Sequence, residues 1–479
     1  MNISPSLAVA LVFATTLIVL ILKERSLYVL FLAAYTHSIV VPLLYTHGYI
    51  GTDMARGLLL LKDILLFELF VWSLVVLFTR FRRPWPLPFK PLLVLTVYCG
   101  FRFLVGAVFL DDDWGKGILR MKMVCFPLEI LVVVMVLTAV KPEFGKRFLR
   151  NMTYTLSILA VVAAAIFFAA PRDFWVQNAN LAEYNADIKG DTENEQEFSL
   201  GLPGAATTVG ARAEAFADIA NFRAIGTFGD GLSLSFQMTV PVLLLLFYFP
   251  RNRTLVLMLG ASGIALLCSL SRSGWLFCAV VATYVLLRRR YYLPFFILGG
   301  LVLGLVLFWA PMTQFAISTV SNLTPSAENA DPNDSLHVEG LFGFYSRGFS
   351  DPGNILGKGM GPEAQTIPES GYAYFLEHFG VVAYASFLWF CIALYRQFDK
   401  GANADPLGVL VQGISLGILV VMHFSQYPLA FTAFISLWYI VGFWLSGYLL
   451  PETNPGEEPI PLRRRVPLGN ASLGPSVAS

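Results

Sequence analysis

The sequence predicts an all-α fold: a polytopic membrane helical bundle of about thirteen spans with two long segments on one face. Three observations predict it. Of 479 residues, 56% are hydrophobic and only 14% are charged, with a mean hydropathy of +0.65; soluble chains carry about 25% charged residues. Apolar runs near or above the roughly 17 residues needed to cross a bilayer recur along most of the chain. The basic clusters fall between alternate pairs of these runs, so they share one side. The net charge of +1 adds little, because the positions of the charges matter more than their sum. No nucleic-acid partner is expected.

In chain order the expected spans are Ser6–Leu22, Leu27–Tyr45, Gly57–Thr79, Pro91–Leu110, Ile118–Val140, Met152–Ala170 and Leu232–Phe249. They continue with Leu255–Ser269, Ser273–Leu287, Tyr291–Trp309, Gly371–Tyr395, Leu407–Met422 and Leu429–Leu449. The first has no basic residue before it, as a cleavable signal peptide would, and reads as a retained span. Basic residues gather at 23–25, 80–90, 141–150, 250–253, 288–290, 395–400 and 463–465. The positive-inside rule makes that side the cytoplasm. The N-terminus then lies outside and the C-terminus inside. Residues 1–450 form the bundle. Residues 451–479, rich in Pro, Gly and Ser, read as a disordered cytoplasmic tail.

The opposite side receives 111–117, 171–231 and 311–370. Loops as long as the last two usually carry function or structure of their own. Residues 211–222 are Ala-rich and read as a short helix; 336–351 has helical apolar spacing and reads as an amphipathic surface helix. Asp111–Asp113 read as a solvated turn rather than a metal site, since three adjacent carboxylates do not face one point on a helix. The five cysteines, Cys99, Cys125, Cys268, Cys278 and Cys391, all lie in apolar segments without zinc or redox spacing and read as packing residues.

Arg272 stands between Ser271 and Ser273 at the outer end of the ninth span. A helix start carries free N–H groups and partial positive charge, and either serine can cap it. With the guanidinium added, the position reads as an anion site. A membrane-anchoring arginine is the plainer reading, but further residues expected at the same level weigh against it. Arg223 precedes Gly226, Gly229 and Gly231 at the entry to the seventh span; Arg347 and Lys358 lie in a Gly-rich run; Glu369 follows Pro368 where the chain re-enters the membrane. Guanidinium groups bind phosphate oxygens bidentately, which suits a diphosphate, and a carboxylate suits a general base.

Within the third to fifth spans lie Lys62, Asp63, Glu68, Arg102, Lys122 and Glu129. Glu68, Arg102 and Glu129 fall about 15–18 Å from a span end by residue count. They are expected to form a buried charge network, either as ion-paired glue between helices or as a transport pathway.

The order of motifs resembles the O-antigen polymerase and O-antigen ligase superfamily of bacterial membrane glycosyltransferases. RAIGTFGDG enters one span, SLSRSGW opens a later one, a large outer loop follows, and GKGMG then precedes ESGYAYFLEHFG. The resemblance covers about Arg223 to Gly380. It implies a metal-independent enzyme, without cofactor, acting on undecaprenyl-diphosphate-linked sugars at the periplasmic face. It maps Arg223 and Arg272, and more weakly Arg347, to diphosphate binding. The implied partners are the lipid-linked oligosaccharide, the bilayer, and a chain-length regulator and flippase of the same pathway. The ligases have a histidine where this chain has Glu369 and Ser370; the nearest, His378, is about 13 Å deeper along a helix and reads as a packing or hydrogen-bonded residue. The sequence therefore favours a polymerase of lipid-linked repeat units, with Glu369 as base and Arg272 as catalytic cation. Lys358 is grouped with the diphosphate-binding residues. A ligase passing finished glycan to lipid A core or protein is the first alternative, and a glycolipid transporter or flippase the second. No inverted repeat supports the transporter.

Overall fold

The computed structural model describes residues 5–81, 86–109, 114–169, 184, 224, 227–228, 231–249, 252–269, 271–291, 353–359, 370–399 and 405–450. All regular structure among them is helical. The helices are α1 (Pro5–Leu22), α2 (Ser26–Thr46), α3 (Thr52–Arg80), α4 (Phe89–Phe109), α5 (Trp114–Val140) and α6 (Pro142–Ala169), then α7 (Gly231–Phe247), α8 (Arg253–Cys268) and α9 (Arg272–Arg288). A single turn, α10 (Gly353–Leu356), precedes α11 (Gly371–Phe379), α12 (Val381–Asp399), α13 (Pro406–Val421) and α14 (Phe431–Leu445).

Five stretches are long and apolar enough to cross a membrane: Ser6–Thr46, Phe89–Val108, Arg120–Val140, Pro142–Ala169 and Phe431–Tyr448. The first holds both α1 and α2, divided by a 3-10 turn at Lys23–Arg25 in which Lys23 adopts φ +51°. Helices α7, α8, α12 and α13 are apolar but shorter. Twelve of the thirteen expected segments are thus helical; the tenth, 291–309, lies outside the described residues apart from Tyr291, as do the segments expected at 211–222 and 336–351. The expected span Gly371–Tyr395 is not one helix. It divides at Gly380, whose φ of +87° ends α11 and restarts the chain as α12.

Large apolar side chains face outward at helical spacing. On α4 these are Val97, Phe101, Leu104 and Val108, between 53% and 64% exposed. Such a stripe on a helix of membrane length suits hydrocarbon as its solvent. Prolines Pro42, Pro127 and Pro241 sit inside helices, as bilayer helices tolerate where neighbours re-satisfy freed backbone groups. The interior is tied by polar contacts between helices. Tyr35 Oη and Ser436 Oγ are 2.6 Å apart, and Ser436 Oγ donates to Gln237 Oε1 at 2.6 Å. That chain joins α2, α14 and α7, as hydrogen bonds do where no hydrophobic effect drives helix association.

The up-and-down order puts residues 23–25, 141–147, 253 and 288–290 at one end, the basic end. Lys141 bonds Glu24 there, joining two of its corners. The starts of α9 and α11 and the end of α13 lie at the other, the far end.

Candidate functional site

Helix α9 begins at Arg272 because Ser271 leaves the helical conformation and its Oγ accepts from Gly274 N at 3.3 Å. The corner before it is fixed by Trp275 Nε1, which donates to Leu266 O at 2.7 Å. The close approach of α9 to α7 needs Gly274: a Cβ there would stand 2.1 Å from Ser235 Oγ. Ala224 N donates to Cys268 O at 3.0 Å, so the chain entering α7 is tethered to this same corner. Arg272 Nε and Nη2 are shielded from solvent.

Helices α9 and α13 run antiparallel, with Gly417 against Phe277 and Gly413 against Val281. Continuing that register places Arg272 level with Val421 and Met422. Met422 O accepts from Tyr372 N at 3.3 Å and from Ser370 Oγ at 3.2 Å, and Ser370 Oγ caps Ala373 N. The starts of α9 and α11 therefore lie at one level beside the end of α13, with the His423 ring 4.6 Å from that of Tyr372. The guanidinium and the partial positive charge of the helix starts at one level favour an anion there, although Tyr372 N and Ala373 N of α11 are already engaged by Met422 O and Ser370 Oγ.

Lys358 lies elsewhere. Its backbone N donates to Glu377 O at 2.6 Å, and Gly359 N donates to His378 O at 3.3 Å. It therefore meets the C-terminal end of α11, about 9–11 Å along that helix from its start, and not the level of Arg272. Gly357 permits this: its φ is +82°, and a Cβ on it would stand 2.6 Å from Gly380 N. Arg223, Arg347 and Glu369 lie outside the described residues.

A second constellation surrounds Lys358. Arg102 on α4 donates through Nε to Leu356 O at 3.1 Å and through Nη2 to Gly357 O at 2.9 Å. Arg120 on α5, buried, donates through Nη1 to His378 Nδ1 at 2.8 Å. A guanidinium can only donate, so Nδ1 accepts and the neutral imidazole carries its proton on Nε2. The approach of Gly359 O to the same Nδ1 at 3.3 Å is then a packing contact. Tyr374 Oη donates to Arg120 O at 3.2 Å. Arg120 had no signal of its own in the sequence, since it stands in LRMKM where the apolar run begins.

The remaining membrane-depth charges form the expected network only in part: the Asp63–Lys122 pair joins α3 to α5. Glu68 accepts from Thr15 and Thr16 of α1 at 2.9 and 2.8 Å. Asp63 pairs with Lys122 and, at 3.5 Å, with Lys62. Among the described residues no ion pair joins Glu68 or Glu129 to Arg102. Arg102 instead meets the backbone carbonyls of Leu356 and Gly357. Asp63, Lys122 and Glu129 line a cavity of about 250 Å³ between α3 and α5. No group of three or more His, Cys, Asp or Glu residues among the described residues has metal-holding geometry.

Fold and site together define a class: a helical protein with five helical stretches long and apolar enough to cross a membrane, and a guanidinium-bearing helix start beside a second helix start at one end. Compared with protein-family models and with curated proteins, the chain matches none.

Proposed function

We propose that this chain polymerises lipid-linked polysaccharide repeat units, with its far end facing the periplasm and thirteen spans in the inner membrane. The observation that carries the reading is the shared level of Arg272 and the start of α11 beside Met422. A diphosphate is an anion with the charge to use both helix starts and the guanidinium. The order of motifs around Arg272, in the GKGMG run and in ESGYAYFLEHFG supplies the substrate class by resemblance.

In the proposed reaction a hydroxyl of the incoming lipid-linked unit attacks the anomeric carbon of the growing glycan. The new glycosidic bond forms as the bond to undecaprenyl diphosphate breaks. Glu369, next before the Ser370 that caps α11, accepts the hydroxyl proton. Arg272 and Arg223 stabilise the negative charge that develops on the leaving diphosphate. Arg347 and Lys358 belong to the same loop region, and Lys358 lies too far along α11 to share the level of Arg272.

The test is the full-length protein purified in detergent with undecaprenyl-diphosphate-linked repeat units from its source cells, products resolved by size. A ladder is expected, and Arg272→Ala is expected to slow it about a hundredfold. A Glu369→Gln protein that polymerises at the normal rate removes that residue from the role. Absence of a ladder with folded protein favours the ligase. Cells lacking the gene separate the two: loss of a polymerase leaves single repeat units, whereas loss of a ligase leaves long chains on the carrier lipid.

A further inference from the structure

A cavity lies at the basic end, away from Arg272 and the start of α11. It has a volume of about 600 Å³ and is lined by Glu24, Arg25 and Tyr28 at the start of α2, and by Lys141, Glu143, Phe144, Arg147 and Asn151 around the start of α6. We propose that this cavity binds the phosphate headgroup of an anionic lipid in the leaflet at that end.

Charge is the first argument. Lys141 is engaged by Glu24, and Glu143 by Lys146 at 2.9 Å. That leaves Arg25, which donates no hydrogen bond to the described residues, and Arg147, whose contact is from Nε to Glu143 O at 3.4 Å. Lys141 in the wall and Lys146 outside it offset the two carboxylates, and the Arg25 and Arg147 guanidinium groups line the space with no carboxylate hydrogen-bonded to either among the described residues. Planar guanidinium forks suit phosphate oxygens.

Shape is the second argument. The inner wall is a rigid aromatic group, with Tyr28 against Phe144 and Phe148 at 5.7 and 4.7 Å between ring centroids. Asn151 Nδ2 donates to Tyr28 Oη at 3.1 Å and holds the two helices together across it. Aromatic rings of this kind sit at headgroup level.

The path for the acyl chains is the third. One turn deeper than Tyr28, on the same face of α2, is Leu32, 59% exposed; two turns deeper than Asn151, on the same face of α6, is Ile158, also 59% exposed. Both helices thus pass from polar cavity wall to exposed apolar surface in the direction of the bilayer centre. A soluble phosphate would use only the first part of this surface, whereas a lipid uses both. Basic pockets between transmembrane helices recognise anionic headgroups in this way.

The experiment is thermal unfolding of the full-length protein in detergent, titrated with phosphatidylglycerol, phosphatidylcholine or free glycerol phosphate. Phosphatidylglycerol is expected to raise Tm above the phosphatidylcholine value. Arg25→Gln and Arg147→Gln should each weaken the apparent affinity roughly fivefold. Arg150→Gln, an exposed cation outside the lining, should leave it unchanged. Equal Tm in the two lipids overturns the proposal, and so does equal weakening by Arg150→Gln, which would mean diffuse charge attraction. A full shift with glycerol phosphate alone also overturns it, by making the ligand soluble. Should Arg147→Gln fail to fold, Arg25→Gln decides the matter alone, since the Arg25 side chain hydrogen-bonds no other described residue.

Discussion

The most apolar 18-residue stretches within Ser6–Thr46 and within Arg120–Val140 of α5 are nearly equal in hydropathy, at 2.4 and 2.6, yet 17% of the first and 78% of the second is buried. Helix α14, at 1.3, is also 78% buried. In water the more apolar helix would go to the centre. In a bilayer the surroundings are as apolar as the side chains, so hydropathy does not decide which helix is central. Close packing and interhelical hydrogen bonds decide it. Helix α14 brings Trp438, Tyr439 and Ser436, each with a partner on the backbone or side chain of another segment. Helix α1 turns Val9, Phe13 and Leu20 outward.

The largest effect that would separate the two regions is expected at Trp438. It is fully buried, and its Nε1 donates to Pro428 O at 3.0 Å. Trp438→Ala should destabilise by about 3–5 kcal/mol, measured by denaturant titration of the purified protein. Phe13→Ala, on a side chain 70% exposed, should stay within about 0.5 kcal/mol. Equal effects would break the contrast.

A single methyl group sharpens it further. A Cβ at Gly442 would lie 2.9 Å from Val134 Cβ, whereas at Gly260 on α8 nothing lies within 4 Å. Gly442→Ala should cost about 1–3 kcal/mol by overpacking α14 on α5. Gly260→Ala should stabilise by about 0.5–1 kcal/mol, because alanine restores helix propensity at no steric cost. The same substitution then changes sign between the two helices, read as a fall and a rise in Tm.

The smallest effect is expected at the Glu24–Lys141 contact. Burial pushes the Glu24 carboxyl up, but the Lys141 hydrogen bond, a backbone hydrogen bond and the charges of Lys141 and Arg25 together outweigh this and leave the pKa lowered. A carboxylate with a depressed folded pKa contributes stability above its unfolded value, about 4.3, and loses it as pH falls through the folded value. Lys141→Met should therefore lower stability by at most about 1 kcal/mol near neutral pH. The difference from wild type should vanish in melts at a pH below the lowered pKa.

Much of the fold was legible because span length and charge alternation are local properties. Twelve expected segments are helical, one of them as two helices, and Ser271 caps α9 as its position before Arg272 indicates. The break at Gly380 was hidden in ESGYAYFLEHFG, whose apolar content runs on without a proline. The break depends on Gly357 pressing against Gly380 from 23 positions earlier in the chain. The site was legible only in part. Arg272 could be picked out by its flanking serines, while Lys358 was grouped with it by charge and side although its segment docks at the other end of α11. Arg120 went unmarked because what gives it meaning is His378, which it meets from the far part of the chain.

By itself, then, the sequence determined the helical class, the apolar lengths, the clustering of basic corners and the helix start at Arg272. Each follows from neighbours within a turn or a span. Only the tertiary structure decided which apolar helix is central, where Lys358 sits, and that Arg102 and Arg120 hold the segment before α11 against its end. Those outcomes depend on which groups come within hydrogen-bond reach once the helices pack, and in an apolar solvent such contacts, rather than hydrophobicity, distinguish one packing from another.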